Sequence, residues 1–222
     1  MSLKSLYYKI RYGKPIVLVS GLPRSGTSML MLMLQEAGLP IVRDHFREAD
    51  EDNPKGYHEF EKVKELDKSE EKGWLKDHRG QVIKIISFLL QDLPLNLNYK
   101  IIFMHRNLDE VLRSQNKMLE RLGNKGPDVD DDKMKDNYKN HLRKVYYRLR
   151  HTPHFQALFV DYTNVIEDPV REAGRIRQFL GDYEMDLDKM ASIVDPNLYR
   201  NRKETTPKFD IKDVKEDGSR II

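Results

Sequence analysis

Ile16-Val17-Leu18-Val19-Ser20, then Gly21-Leu22-Pro23-Arg24-Ser25-Gly26-Thr27-Ser28, then Met29-Leu30-Met31-Leu32-Met33-Leu34-Gln35-Glu36-Ala37-Gly38, is the stretch that decides the fold. The first run is apolar and largely β-branched, which predicts a strand buried on both faces. The third is made of strong helix formers and stops at a glycine. Its methionines fit a gap-filling core face. The turn between them presents backbone N–H groups at the start of a helix, where donors and helix dipole together favour an anion such as phosphate. Arg24 adds a permanent cation with forked donors, and Thr27 and Ser28 add hydroxyls. The turn departs from the nucleoside-triphosphatase pattern G-x-x-x-x-G-K-[ST], because Thr27 follows Gly26 where a lysine would stand.

Working outward, Val82–Ile86, Lys100–Met104 and Ala157–Val160 read as further strands. Helical patterns are predicted over 108–122, 133–150 and 169–180, with short helical pieces at 88–92 and 186–194. Pro169 opens its helix and Gly181 closes it. Residues 43–72 are polar and charged, with the turn signal Asn53-Pro54-Lys55-Gly56, and read as a loop carrying one or two short helices. Phe46, Tyr57 and Phe60 are its candidate docking points on the core. Strands alternating with helices predict an α/β three-layer sandwich with a mostly parallel central sheet. Ligands of such sheets collect beyond the carboxyl ends of the strands, where both Gly21–Ser28 and His105–Asn107 begin. A chain of 222 residues suits one domain, with a core over about 15–195 and a charged tail or lid over 196–222.

Composition narrows the function classes. There is no cysteine, which removes disulfides, thiolate metal sites and cysteine nucleophiles together. The 39 Lys and Arg against 36 Asp and Glu give a net charge of only +3, too small an excess for a long nucleic-acid groove. The longest nearly apolar stretch, Met29–Leu34, falls far short of the ~20 residues a bilayer span needs. The opening residues lack the apolar core and cleavage site of a signal peptide, so a cytoplasmic location is the expectation.

Ser20–Ser28 resembles the 5'-phosphosulfate-binding loop of the sulfotransferase family, with Arg24 where most members place Lys or Arg. Arg106-Asn107-Leu108-Asp109-Glu110-Val111-Leu112-Arg113-Ser114 resembles that family's second motif, an Arg at a strand end followed by a Ser on the next helix. Phe159–Pro169 resembles the strand-and-turn segment that often follows, and Asp52–Glu59 resembles a segment of many small bacterial members. The resemblance spans about residues 15–180 and implies a P-loop nucleoside triphosphate hydrolase-like fold. It implies 3'-phosphoadenosine-5'-phosphosulfate (PAPS) as donor co-substrate and no required metal. By position it assigns donor binding to Gly21, Pro23, Arg24, Ser25, Gly26, Thr27 and Ser28 for the 5' side, and to Arg106 and Ser114 for the 3'-phosphate. Arg200 or Arg202 would add a contact from the tail.

The implied reaction is direct in-line transfer to an acceptor hydroxyl or amine, with negative charge growing on the leaving oxygen and Arg24 stabilising it. Lys84 resembles the strand lysine that in some members contacts the transferred group. The histidine that phenol-sulfating members place two residues beyond that lysine is replaced here by Ile86. The base is therefore sought among His45, Glu48, His58 and Glu59, with Glu59 preferred because it closes the Asn-Pro-Lys-Gly-Tyr-His-Glu segment. Two other readings stay open: a P-loop kinase using ATP and Mg²⁺, and a non-catalytic nucleotide-binding scaffold. The expected partner is a small-molecule, lipid or sugar acceptor rather than a nucleic acid, with homodimerisation left open.

Overall fold

The computed structural model describes residues 3–44, 59–121, 123, 130–181 and 183–195. In chain order the elements are α1 (Leu3–Tyr12), β1 (Ile16–Gly21), α2 (Thr27–Glu36), β2 (Val82–Lys84), β3 (Tyr99–His105), α3 (Leu108–Arg121), α4 (Asp131–His151), β4 (Phe155–Asp161), α5 (Tyr162–Glu167), α6 (Pro169–Leu180) and α7 (Leu187–Ser192). Short 3-10 helices cover Glu61–Glu65, Gly73–His78 and Ser87–Asp92. The four strands form one sheet in the order β2-β1-β3-β4, and every neighbouring pair runs parallel.

Every residue of β1 is buried. Ile16 and Leu18 join one apolar cluster, and Val17 and Val19 join another. β3 repeats the alternation, with Ile101 and Phe103 in the first cluster and Ile102 and Met104 in the second. The first cluster takes Tyr138, Leu142, Val145, Tyr146 and Leu149 of α4, spaced along one helical face. The second takes Leu30, Met31, Met33 and Leu34 of α2 together with Ala173, Ile176 and Leu180 of α6. Helices thus cover both faces of a parallel sheet, the mixed α/β architecture expected from the alternating elements. The α2 methionines pack in the core, as their sequence context suggests.

Local signals account for the helix boundaries. Asn107 Oδ1 accepts the Asp109 N–H at 2.9 Å at the head of α3, and Asp130 and Asp168 cap α4 and α6 through side-chain oxygens. Pro169 opens α6 and Gly181 follows its last residue with φ 69°. Lys100, on β3 and almost buried, donates from Nζ to the Phe179 and Leu180 carbonyls at 3.0 and 2.6 Å. A cation there answers both the unpaired carbonyls and the negative end of the helix dipole.

Three readings need correction. The strand predicted over Val82–Ile86 ends at Lys84, because Ile86 begins the 3-10 turn Ser87–Asp92, although Ile85 N–H still donates to Val19 O at 3.0 Å. Residues 3–12, for which no helix was expected, form α1. Residues 162–167, read as part of a turn, form α5, with the Asp161 carboxylate accepting the Thr163 N–H at 2.8 Å. Of the aromatics expected to dock the polar segment, Phe60 stands edge-on to Trp74 and His78, with centroids 5.5 and 5.3 Å away; Phe46 and Tyr57 lie outside the described residues.

The double-sided burial of β1 is directly testable. Leu18 has no exposure, so Leu18→Ala is expected to lower the unfolding free energy by about 2–5 kcal/mol, the usual range for such a core truncation. Urea denaturation should report this as a lower midpoint at an unchanged slope.

Candidate functional site

All four strand ends feed one rim. β1 runs into Gly21–Ser28, β2 ends on Lys84, β3 leads to Arg106, and β4 ends at Asp161-Tyr162. The connection from β1 leads outward to β2 and the connection from β3 leads outward to β4 on the other side, so the switch point at which ligand crevices form lies between β1 and β3.

The turn after β1 is held tightly. Ser25 Oγ donates to Leu22 O at 2.7 Å and Ser25 N–H reaches the same carbonyl at 3.2 Å, so this hydroxyl is spent within the loop. A Cβ on Gly21 would stand 2.6 Å from both Met104 O and Ser25 Oγ, which explains glycine where the loop passes β3. Gly26 has φ 102°, and a Cβ there would stand 2.5 Å from the Tyr162 ring. Arg24 adopts φ 67°, a left-handed conformation that costs a non-glycine residue roughly 1–2 kcal/mol. Among the described residues no side chain caps α2, whose first N–H groups have no partner within the helix. Such an N terminus is suited to an anion.

The two sequence motifs interlock. Arg24 Nε donates to Ser114 Oγ at 3.1 Å, and its Nη1 lies 3.9 Å from the Met118 sulfur. Arg106 Nη1 donates to the Arg24 carbonyl at 3.2 Å. Arg106 Nε donates to Glu110 Oε2 at 3.0 Å, and Glu110 has no exposure. The Arg106 guanidinium also lies 4.1 Å from the Tyr162 ring centre, within cation–π range. Burial raises the Tyr162 hydroxyl pKa above its ordinary value; the Glu110 charge adds to this and Arg106 opposes it.

Lys84 and Glu59 also meet at this rim. Lys84 Nζ lies 3.6 Å from Glu59 Oε1 and 3.3 Å from Ser28 Oγ. Glu59 is held there by its backbone, since Glu59 O accepts the Asp44 N–H at 2.9 Å. Of the sequence-selected residues, Arg24, Ser28, Glu59, Lys84, Arg106 and Ser114 are therefore joined by direct contacts around one loop. His45, Glu48, His58, Arg200 and Arg202 lie outside the described residues.

Two neighbours escaped the sequence reading. Glu110 follows Arg106 by one helical turn, a spacing that favours an ion pair and was available as a signal. Tyr162, at the carboxyl end of β4, packs beneath both Gly26 and Arg106; its position at a strand end was the available clue. Beside it, His105 Nδ1 and Asp161 Oδ2 lie 3.3 Å apart. Burial pushes the Asp161 pKa up, but the His105 hydrogen bond and charge and the Thr163 and Asn164 N–H groups outweigh it and hold the carboxyl below its ordinary value.

A sulfotransferase-domain family model matches residues 14–212. The chain belongs to the sulfotransferase family. The match takes in the interlocked loop, both arginines and the Lys84–Glu59 pair, and the family is one of sulfuryl-transferring enzymes. Among similar solved structures, the sulfotransferase from Alicyclobacillus acidocaldarius is 14% identical, covering 78% of this chain and 85% of its own at a TM-score of 0.42. The sulfotransferase domain from the curacin biosynthetic pathway is 15% identical, covering 88% and 94% at 0.45. Retinol dehydratase, solved with androsterone and the inactive cofactor PAP, is 17% identical, covering 89% and 68% at 0.44. The search of curated proteins returned no match. No helix among the described residues is long and apolar enough to cross a membrane.

Two outcomes test this packing. Gly26→Ala forces a Cβ against Tyr162 at a positive φ, so its thermal midpoint should fall, with a loss of at least about 1 kcal/mol. Asp161 has a depressed pKa in the fold, so its stabilisation is present above the unfolded value of about 3.9 and disappears as pH falls through the lower folded value. Asp161→Asn should therefore be less stable than the native chain at neutral pH, and the two denaturation curves should converge in acid.

Proposed function

We propose that this sulfotransferase uses PAPS as donor and transfers its sulfuryl group in line to a hydroxyl or amine of an acceptor. The observation that carries the reading is the direct link between the two motifs, Arg24 Nε to Ser114 Oγ at 3.1 Å and Arg106 to the Arg24 carbonyl at 3.2 Å. A donor with phosphates at both its 5' and 3' positions requires two anion sites at a fixed separation, and these contacts fix one motif against the other. The residues fit such a group: the uncapped α2 N terminus suits the 5' side, while Arg106 and Ser114 suit the 3'-phosphate.

When bound, PAPS supplies an electrophilic sulfur and a bisphosphate leaving group. The acceptor oxygen or nitrogen forms a bond to sulfur as the bond from sulfur to the bridging oxygen of the 5'-phosphate breaks. Arg24 and the N–H groups at the head of α2 take up charge developing on that oxygen, without reorganising during transfer. Lys84, beside Ser28 and Glu59, would meet the transferred group, and Glu59 would receive the acceptor proton. Glu110 holds Arg106 in place, and the Tyr162 ring supports it from below.

Calorimetric titration with 3'-phosphoadenosine-5'-phosphate, beside ATP with Mg²⁺, tests the donor. Removing Arg106 alone would leave the buried Glu110 without that cation, so the variant of choice is Arg106→Ala with Glu110→Gln. The bisphosphate should bind the native chain and bind the double variant roughly 10–100-fold more weakly, as expected for a lost charged hydrogen bond. Selective ATP binding with no response to the bisphosphate would overturn the reading in favour of a kinase. Once an acceptor screen yields turnover, Glu59→Gln should lower kcat by about 10²–10⁴ and leave bisphosphate affinity nearly unchanged.

A further inference from the structure

The first helix carries an apolar face that the other described residues leave uncovered. Leu3, Leu6, Tyr7 and Ile10 are 87%, 39%, 57% and 78% exposed. At about 100° per residue these four positions fall on a single stripe of α1. Lys9 and Arg11, both exposed, stand on its two flanks. The opposite face is the docked one: Tyr8 is buried, and the Tyr12 ring lies 5.0 Å from that of the buried His154. The end of the helix is tied down as well, with Arg79 Nη2 donating to Tyr12 O at 3.2 Å and Asn98 Nδ2 to Gly13 O at 3.2 Å.

Charge decides what covers this stripe. The first acidic residue of the sequence is Glu36, so α1 and the turn after it carry only cations, among them Lys9, Arg11 and Lys14. Arg79 adds another at the carboxyl end of the helix. An interface between two copies of this face would bring those cations together. A negatively charged lipid surface accepts both parts: the apolar side chains enter the boundary region, and flanking Lys and Arg extend their heads to the anionic headgroups. Tyr7, an aromatic ring with a polar tip, suits the same depth.

We propose that α1 seats the enzyme on an anionic bilayer surface, lying in the interface without crossing it. The docked side fixes the orientation. Asn98, Arg79 and His154 all lie just before strands β3, β2 and β4, so α1 sits at the amino ends of the strands. The rim with Arg24, Lys84 and Arg106 lies at their carboxyl ends. The membrane therefore holds the enzyme by one end of the sheet and leaves the catalytic rim uncovered at the other.

Flotation with vesicles of phosphatidylcholine alone, and of phosphatidylcholine mixed with phosphatidylserine, tests the proposal on the full chain. The native protein should float with the anionic vesicles, stay behind with the neutral ones, and be released by salt. Leu6→Glu with Ile10→Glu should abolish flotation. Lys9→Glu with Arg11→Glu should weaken it by more than about tenfold. Both pairs lie on the exposed side of α1, and unchanged circular dichroism and thermal midpoints would show that the fold is intact. A native chain that ignores anionic vesicles, or variants that float as well as the native chain, would overturn the proposal. So would light scattering that finds a native dimer converted to monomer by Leu6→Glu with Ile10→Glu, since the stripe would then join two copies of the chain.

Discussion

The rim depends on β1 having no wet side. Each of its residues is buried, and it hydrogen-bonds to β2 on one edge and β3 on the other. A strand so enclosed has little freedom to shift: a slip by one residue would exchange Ile16 and Leu18 for Val17 and Val19 between two differently shaped clusters. The direction in which the chain emerges at Gly21 is therefore fixed by the core. That fixed exit lets the following turn hold a left-handed arginine and present an uncapped helix end at a defined place.

Holding Arg24 at φ 67° is unfavourable, and its surroundings offset the cost. Its side chain is tethered to Ser114, its carbonyl receives Arg106, and the next residue fastens the turn through Ser25 Oγ. Arg106 is itself fixed by Glu110 and by the Tyr162 face. A buried ion pair of this kind is weak support for stability, because desolvation consumes much of the Coulomb gain. Its value here is positional: it keeps a guanidinium pointed along one direction. Among these contacts, the protein's own side chains and carbonyls hold both guanidinium groups in place.

Much of this was legible because the sequence encodes it locally. The strand-turn-helix succession at 16–38 and the spacing from Arg106 to Ser114 are contiguous patterns, and the cap Asp168-Pro169 and stop Gly181 are single-residue signals. What escaped depends on the third dimension or on a competing preference. The shared contact of Tyr162 with Gly26 and Arg106 arises only once β4 lies beside β3. The run Val82–Ile86 is apolar enough for a longer strand, but β2 lies beyond β1, and the chain turns into a 3-10 helix after Lys84. α1 had the helical spacing of Leu3, Leu6, Tyr7 and Ile10 but points that set away from the core, against the usual meaning of the pattern. The pairing of Glu59 with Lys84 joins a loop end to a strand end, and residue order alone does not specify it.

The parallel order of the sheet has a consequence for how the protein comes into being. No hairpin joins any two of its strands, so each pairing must close a long excursion of chain before it gains a contact. Arg24 and Ser114 are separated by 90 positions yet touch through one hydrogen bond. The Arg24–Ser114 link therefore has no local precursor that a folding intermediate could present early. During synthesis, the loop after β1 is exposed well before α3 exists to steady Arg24. The interlocked rim is in this sense acquired late, as a property of the finished sheet.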